Sequence, residues 1–480
     1  MAQDFIDEVP ASEFGEAVEF AAADAQLATT GLAAVANKDS IFSTTWPLFV
    51  AVGLLMMGVG LSGTLLGVRA GLEDFGVLLS GLIMASYYVG FFFGSTATER
   101  FVAGVGHIRV FAALASAAST AVLVHSVVVE PFTWMAMRFI SGACAAGLYI
   151  VIESWLNDAA SPINRGRMLA TYMVVSMGGI AAGQYLLNVA DVAGFTLFIL
   201  ASILVSMSLV PVALSAAATP PFTVPTPISL KELVSVVPSG VISSFWVGAA
   251  HGTMIGIGAV YGTAIGASAT WVAAFVTMPI LGSLLSQHVV GKLSDRLPRR
   301  GLMLAIAALA YGMSVGLVFV PEGSTATLIV MFVLGAATFP LYSLVIAYSN
   351  DWVRADQIVG TSAALVRTNG AGAIVGPLLA TALMTFFGSR WFFATLALAH
   401  AMIVLYLLYR IYVADPLPIE RQRRFVVFPA RAGVMAATLI PRRRHLRGNR
   451  YRKGGGAEVG SDDFSRPPPG HEANGTTHLR

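Results

Sequence analysis

Long apolar runs alternate with short polar segments from residue 46 to residue 413. A helix that crosses about 30 Å of hydrocarbon needs roughly 20 mostly apolar residues. The pattern predicts twelve such helices, at 46–68, 75–97, 108–128, 131–154, 167–189, 192–214, 238–262, 269–289, 301–320, 325–349, 358–386 and 390–413. Between the sixth and the seventh run the pattern is broken by Pro220, Pro221, Pro225 and Pro227. The helices are therefore expected as six plus six.

This division predicts an all-α membrane protein of two pseudo-symmetric six-helix bundles. The expected segments are an acidic cytoplasmic tail at 1–45, a bundle at 46–214, a cytoplasmic linker at 215–237, a bundle at 238–413 and a basic, disordered tail at 414–480. Composition agrees, because only 11% of the residues are charged, against roughly 25% in an average soluble domain. Of the 55 charged residues, only 27 lie between residues 46 and 413.

The distribution of basic residues predicts the orientation of the chain. Loops after even-numbered helices carry ten Lys and Arg residues, and those after odd-numbered helices carry two. The positive-inside rule then places both termini in the cytoplasm of a multi-pass protein of the cell inner membrane. The net charge of +3 gives no reason to expect a nucleic-acid partner, since the excess lies in one tail, and the single cysteine, Cys144, excludes an internal disulfide and a Cys-based metal site.

An internal repeat relates the two halves, because adding 193 to a residue number aligns two stretches without a gap. The matched residues are Leu148, Tyr149, Asn157, Asp158, Gly179, Gly183 and Leu186 with Leu341, Tyr342, Asn350, Asp351, Gly372, Gly376 and Leu379. Helices four and five thus correspond to helices ten and eleven. Parallel repeats of six helices are the architecture of major facilitator transporters.

Two motifs strengthen this resemblance. After helix eight the chain reads Gly291-Lys292-Leu293-Ser294-Asp295-Arg296-Leu297-Pro298-Arg299-Arg300, which resembles the cytoplasmic signature of the major facilitator superfamily. Helix four carries Arg138-Phe139-Ile140-Ser141-Gly142, similar to the arginine motif of that family. The stretch from Glu153 to Arg167 looks like a bacterial branch of mostly uncharacterised permeases.

The resemblance implies roles for these motifs. The glycine of the signature permits close helix approach, and its Asp and basic residues link the cytoplasmic ends of neighbouring helices. The expected cytoplasmic gate consists of Glu153, Arg165, Arg167, Gly291, Asp295, Arg296, Arg299 and Arg300. Drug antiporters of this family typically carry a Gly-Pro pair in helix five. Here the pair lies instead in helix eleven, at Gly376-Pro377, which argues against a drug antiporter.

Polar groups inside the membrane are the default functional candidates. The candidates for substrate binding or coupling are Arg138, Tyr149, Gln184, Trp246, His251, Tyr342 and Arg367. Arg138 lies about 10 Å and Arg367 about 14 Å into their helices, where an unpaired charge is costly. Arg367 is expected to attract an anionic solute, or alternatively to link helices, and His251 to accept a proton or to pack as a neutral side chain.

Coupling is expected at Glu153 or His251, or is absent, since Glu153 is the deepest of the core acids. No enzymatic, metal or nucleotide-binding constellation is found in the sequence, so no cofactor is expected. The expected partners are a small-molecule substrate, membrane lipid and protons, with the chain acting as a monomer. The function predicted is symport or antiport of a small organic solute, such as an aromatic or anionic vitamin-like or flavin-like nutrient, by alternating access. The alternatives are efflux of a drug or metabolite, and a non-transporting receptor or scaffold.

Overall fold

The computed structural model describes residues 45–160, 165–214, 229–354 and 357–413, together with residues 418, 419, 422, 423 and 425. The side chains of residues 96, 99, 100, 103, 158 and 165 lie outside this description. Both predicted tails therefore fall almost wholly, and the linker partly, outside the described residues. Within the described residues the chain is helical and contains no β-strand.

Twelve long helices occur in the described residues, one for each predicted run. They are α1 Thr45–Leu72, α2 Gly76–Val105, α3 His107–Val127, α4 Pro131–Ala159, α5 Arg165–Tyr185, α6 Thr196–Ala213, α7 Pro238–Ala264, α8 Ala269–Ser294, α9 Arg299–Phe319, α10 Thr325–Asp351, α11 Ile358–Phe387 and α12 Trp391–Val413. A short linker helix, Leu230–Val236, precedes α7. Eleven of the twelve are long and apolar enough to cross a membrane; α5, which carries two arginines and several glycines, is the exception.

Local sequence signals explain where several helices begin and end. Before α4, the Glu130 carboxylate accepts hydrogen bonds from the backbone N–H of Phe132 and Thr133, at 3.0 and 2.6 Å, which lowers the pKa of that carboxyl. These bonds satisfy backbone donors that the first turn leaves unpaired. After α2, Gly106 adopts φ 91°, a conformation that glycine takes without a steric penalty. The chain can therefore turn sharply into α3.

The internal repeat is reproduced in helix packing. The glycines matched by the offset lie in corresponding helices, Gly179 and Gly183 in α5 and Gly372 and Gly376 in α11. A Cβ at Gly183 in α5 would overlap the carbonyl oxygen of Met57 in α1, and a Cβ at Gly376 in α11 would overlap that of Ala249 in α7. Small residues thus let α5 approach α1, and α11 approach α7, at backbone distance.

The two bundles meet along several helix contacts. Two of these, which we call seams, join α2 to α11 and α5 to α8, and α1 also lies close to α7, since a Cβ at Gly67 would be 2.6 Å from the Ala259 Cβ. Within the bundles, α2 packs extensively against α4, α7 against α11 and α8 against α10. Helix α7 contains a π-helical turn at Thr253–Ile257, and Tyr88 of α2 packs against Gly256 in that turn. The irregular part of α7 therefore faces the other bundle.

The glycine contacts predict that a larger side chain at Gly183 lowers the stability of the protein. We expect Gly183→Ala to destabilise the protein by about 1–3 kcal/mol, because the new methyl group has to displace backbone. The control is Gly178→Ala in the same helix, where a Cβ meets no atom within 4 Å. Thermal unfolding of the detergent-purified variants measures the difference, and equal melting temperatures would contradict the packing argument.

Candidate functional site

A small cavity lies between the bundles in the half of the molecule farther from the predicted cytoplasmic side. It is lined by residues of α1, α2, α4, α5 and α7. The polar and aromatic members of its lining are Thr64, Tyr87, Tyr88, Arg138 and Gln184. We call it the outer cavity. Its lining combines one positive charge, hydroxyl groups and aromatic rings, which suits an organic solute with a charged or polar part.

Arg138 provides the charge of the outer cavity. Its side chain is 5% exposed, and its guanidinium carbon lies 4.5 Å from the centre of the Tyr87 ring. This is the geometry of a cation–π contact, which is stronger in a desolvated setting. Arg138 therefore faces the bundle interior, where the sequence argument expected it.

Gln184 lies where the outer cavity meets the α5–α8 seam. Its Oε1 accepts a hydrogen bond from the Thr277 hydroxyl at 2.8 Å. One turn farther out, Asn188 Oδ1 accepts a hydrogen bond from the Thr270 hydroxyl at 2.8 Å. Both bonds join the two bundles at the outer end of the seam. Gln184 thus connects the cavity lining to the contact that holds this end together.

A second cavity, the inner cavity, lies one to two helical turns closer to the predicted cytoplasmic side. Its lining consists of Phe91, Phe92, Ser95, Ala146, Val366, Arg367 and Gly370. Residues of α2 and α4 face residues of α11 across it, so both bundles contribute. Arg367 is partly buried and makes no hydrogen bond or ion pair with any described residue. Its guanidinium is therefore available to a ligand.

The two cavities are neighbours along one face of α2. Tyr87 lines the outer cavity and Phe91 the inner one, and their ring centres are 6.3 Å apart. Residues four apart lie one above the other on a helix. The α2 face thus forms a continuous aromatic wall between Arg138 and Arg367.

The remaining aromatic candidates pack around these cavities. Tyr149 of α4 is buried, contacts the Phe91 ring at 5.7 Å and donates a hydrogen bond to the Met56 sulfur at 3.4 Å. Tyr342, its repeat counterpart, is buried beside His251. Trp246 is partly buried with its ring edge against Phe245, and it is not among the residues that line either cavity.

His251 belongs to a buried polar chain in the second bundle. Its ring stacks on Phe339 at 4.6 Å, and its Nε2 lies 3.3 Å from the carbonyl oxygen of Thr338. The Thr338 hydroxyl lies 3.0 Å from Nε2 of His400 in α12. Sequence reasoning did not select His400, although an ionisable residue in the middle of an apolar helix was a sufficient signal.

The expected gate residues divide into separate sites. Glu153 is fully buried and accepts a hydrogen bond from the Tyr172 hydroxyl of α5 at 3.0 Å, a partner that the sequence did not suggest. Arg167 is exposed at the start of α5, and the Arg165 side chain lies outside the described residues. The proposed pairing of Glu153 with either arginine stays a prediction.

The signature motif organises the predicted cytoplasmic end of the second bundle around Arg299, whose side chain is 1% exposed. Its guanidinium donates hydrogen bonds to the Asp351 carboxylate, to the Ser294 hydroxyl at 3.0 Å and to the Ala347 carbonyl at 3.2 Å. Asp295 lies 3.9 Å away and is 45% exposed. The motif therefore links the ends of α8, α9 and α10.

The other basic residues of the motif are placed differently. Arg300 is buried and donates hydrogen bonds to the Tyr348 hydroxyl at 3.4 Å and to the Arg410 carbonyl at 3.3 Å. Arg296 is exposed. Two residues beyond α12, Arg423 and Phe425, also contact the motif cluster. No feature of the sequence indicated that contact.

Comparison with known proteins agrees with this architecture. A family model described as Major Facilitator Superfamily matches residues 240–452. An uncharacterised MFS-type transporter, YcaD, of Escherichia fergusonii is 25% identical over 361 residues, which cover 74% of this chain and 92% of the relative. The YcaD protein of Salmonella arizonae is 29% identical over 339 residues, which cover 68% of this chain and 85% of the relative.

Solved structures give the same fold at low identity. The nucleoside transporter NupG has a TM-score of 0.61 at 12% identity, covering 77% of this chain and 99% of its own. A bacterial homolog of the human lysosomal transporter Spinster, in an inward-facing and occupied conformation, has a TM-score of 0.64 at 10% identity, covering 79% of this chain and 97% of its own. These likenesses concern the twelve-helix fold.

The ion pair at the signature motif predicts a stability difference between two aspartates. We expect Asp351→Asn to cost about 3–5 kcal/mol, because it leaves the buried Arg299 charge without its carboxylate. Asp295→Asn should cost at most about 1 kcal/mol, since that pair is long and half-exposed. The melting temperatures of the two purified variants measure this difference. An equal loss of stability in both variants would contradict the argument from burial.

Proposed function

The chain belongs to the major facilitator superfamily, and on that premise we propose that it is a proton-coupled secondary transporter of a small organic anion. The observation that carries the proposal is the inner cavity. There a partly buried arginine without a partner among the described residues lies between the two bundles, beside the aromatic rings of Phe91 and Phe92. A cation held at this depth without a counter-ion is costly, and a bound anion would offset that cost.

The composition of both cavities narrows the proposed substrate. Arg138 and Arg367 each offer a planar, multi-donor group that recognises a carboxylate or phosphate in a bidentate manner. The wall of α2 between them offers aromatic faces through Tyr87 and Phe91. The substrate class proposed is therefore an anion with a planar or apolar part, a class that includes vitamin-like and flavin-like nutrients.

Alternating access supplies the proposed mechanism. The substrate would bind between the bundles, and opening and closing of the α2–α11 and α5–α8 seams would expose it to one side at a time. The hydrogen bonds from Gln184 to Thr277 and from Asn188 to Thr270 support an outer gate at the α5–α8 seam. In this proposal the bundles extend over residues 46–214 and 238–413, and both termini lie in the cytoplasm.

Proton coupling is proposed at Glu153. Its carboxylate is fully buried and hydrogen-bonded to Tyr172. A carboxyl group in this setting changes its protonation state when a conformational change alters its solvation. His251, with its link through Thr338 towards His400, is the second candidate.

The first experiment is to find a ligand and test Arg367 with it. A ligand that binds only the folded state raises the melting temperature, so purified protein is screened against planar aromatic carboxylates and phosphates. With the compound found, we expect Arg367→Gln to weaken binding roughly ten- to a hundredfold, the loss of about 1.5–3 kcal/mol from a charge-assisted hydrogen bond.

The control for this experiment is Arg109→Gln, which removes an exposed arginine at the start of α3. It should leave binding unchanged. Equal affinity of wild type and Arg367→Gln at equal expression would overturn the proposed contact. A screen in which only neutral compounds raise the melting temperature would overturn the proposed substrate class.

Glu153→Gln tests the coupling. We expect this variant to lose accumulation of the substrate driven by a proton gradient while it retains exchange of labelled for unlabelled substrate, because exchange needs no net proton movement. The control is Glu322→Gln, which alters a carboxylate bonded to Ser389 at the other end of the second bundle. Uptake assays in proteoliposomes with an imposed pH gradient measure both quantities. Gradient-driven accumulation at the wild-type level in Glu153→Gln would refute the assignment.

A further inference from the structure

The chain returns to the cytoplasmic end of the second bundle after α12. Arg423 donates a backbone hydrogen bond to Asp351 Oδ1 at 2.8 Å, and its carbonyl oxygen accepts one from Arg299. Its guanidinium donates to the Val353 carbonyl at 2.9 Å. Desolvation lowers the pKa of this guanidinium, and the Asp351 charge opposes the shift. Arg423 is thus part of the ion-pair cluster.

Phe425 extends this contact onto α8. Its backbone N–H donates a hydrogen bond to Asp295 Oδ1 at 2.7 Å. Its ring lies against Gly291, where a Cβ would be only 2.9 Å from the Phe425 Cδ1 atom. Gly291, which the family signature associates with close helix approach, is therefore covered by the Phe425 ring of the same protein. We call the described residues 422, 423 and 425 the C-terminal strap.

The strap occupies a particular face of α8. Thr277 and Asp295 are 18 residues apart, which is five turns at 3.6 residues per turn, so they lie on the same line along the helix. Gly291 lies close to this line. In the outer half the same face contacts the first bundle, through the bond of Thr277 to Gln184 and through the packing of Ile280 and Leu284 in a cluster otherwise formed by the first bundle.

One face of α8 thus has two occupants. Its outer half contacts the first bundle, and its cytoplasmic half contacts Phe425. In the same half of the molecule, Arg167, Ala170 and Val174 of α5 have exposed side chains. If the bundles closed along the whole seam, α5 and the strap would compete for the surface around Gly291 and Asp295.

We propose that the C-terminal strap binds the cytoplasmic half of the α8 seam face and must leave it before the cytoplasmic side of the transporter closes. The strap then acts as an intramolecular wedge that favours the conformation open towards the cytoplasm. Its binding surface is defined by Gly291, Asp295, Arg299 and Asp351. This inference rests on the alternating-access part of the proposed function and on no property of the substrate.

Distance measurements across the cytoplasmic end of the seam test the wedge directly. Spin labels are placed at Ala170→Cys in α5 and Lys292→Cys in α8, both exposed positions, after Cys144→Ser. Pulsed electron resonance on the full chain in lipid nanodiscs then gives the distance distribution. We expect Phe425→Ala to raise the ratio of short to long distances about threefold or more, because the closed state no longer has to displace the ring.

Two further variants separate the wedge from a general disturbance. Tyr412→Ala removes an aromatic side chain that is 87% exposed at the end of α12, and it should leave the distribution unchanged. Phe425→Leu, which keeps a smaller apolar side chain on the same surface, should give a smaller shift than Phe425→Ala.

The possible outcomes are distinguishable. An unchanged distribution in Phe425→Ala, or an equal shift in Tyr412→Ala, would overturn the wedge. A shift in the distribution supports it whether or not a substrate is found, since the readout needs no transport. Failure of every anionic compound to bind, together with a strap-dependent shift, would remove the proposed substrate and leave the wedge in place.

Discussion

The cost of charge in a low-dielectric membrane core governs where the ionisable side chains of this protein lie. Arg138 meets that cost by lying over the Tyr87 ring, and Arg299 by its contacts with Asp351, Ser294 and Ala347. Glu153 is hydrogen-bonded to Tyr172. Arg367 differs from these three because no described residue pairs with it, and it lines the inner cavity. The same physical constraint thus separates charges that hold the fold from a charge suited to a ligand.

Close helix approach is the second condition for the site. The glycine pairs of α5 and α11 allow these helices to lie against α1 and α7 at backbone distance. Because each pair is fixed in this way, the two bundles act as compact units, and they meet through the contacts of α2 with α11, of α5 with α8, and of α1 and α2 with α7. The cavities lie at the seams, where aromatic rings of α2 replace backbone contact. A path that opens when two bundles move against each other requires tight packing inside each bundle. It also requires contacts between the bundles that can change.

The two ends of the α5–α8 seam differ in what occupies them. Small polar groups join the helices at the outer end, through Gln184 with Thr277 and Asn188 with Thr270. At the predicted cytoplasmic end, Phe425 lies on Gly291 and Asp295 of the α8 end. Since the strap belongs to the same chain, its local concentration is high and a few hydrogen bonds suffice to hold it. The proposed wedge would connect this contact to the conformational equilibrium of the two bundles.

The helices, their order and the fold could be predicted from the amino-acid sequence. Hydropathy predicted all twelve helices, and the repeat offset predicted which of them are equivalent, because both depend on local composition and on spacing along the chain. Arg138 and the signature motif were also found in this way, since their family pattern is contiguous. The tertiary structure was needed to show that Glu153 pairs with Tyr172 and that His251 is linked through Thr338 to His400. It was also needed to show that the two cavities adjoin along α2 and that Phe425 packs on Gly291. Each of these depends on residues far apart in sequence and on the rotation of one helix against another, which hydropathy and spacing do not encode.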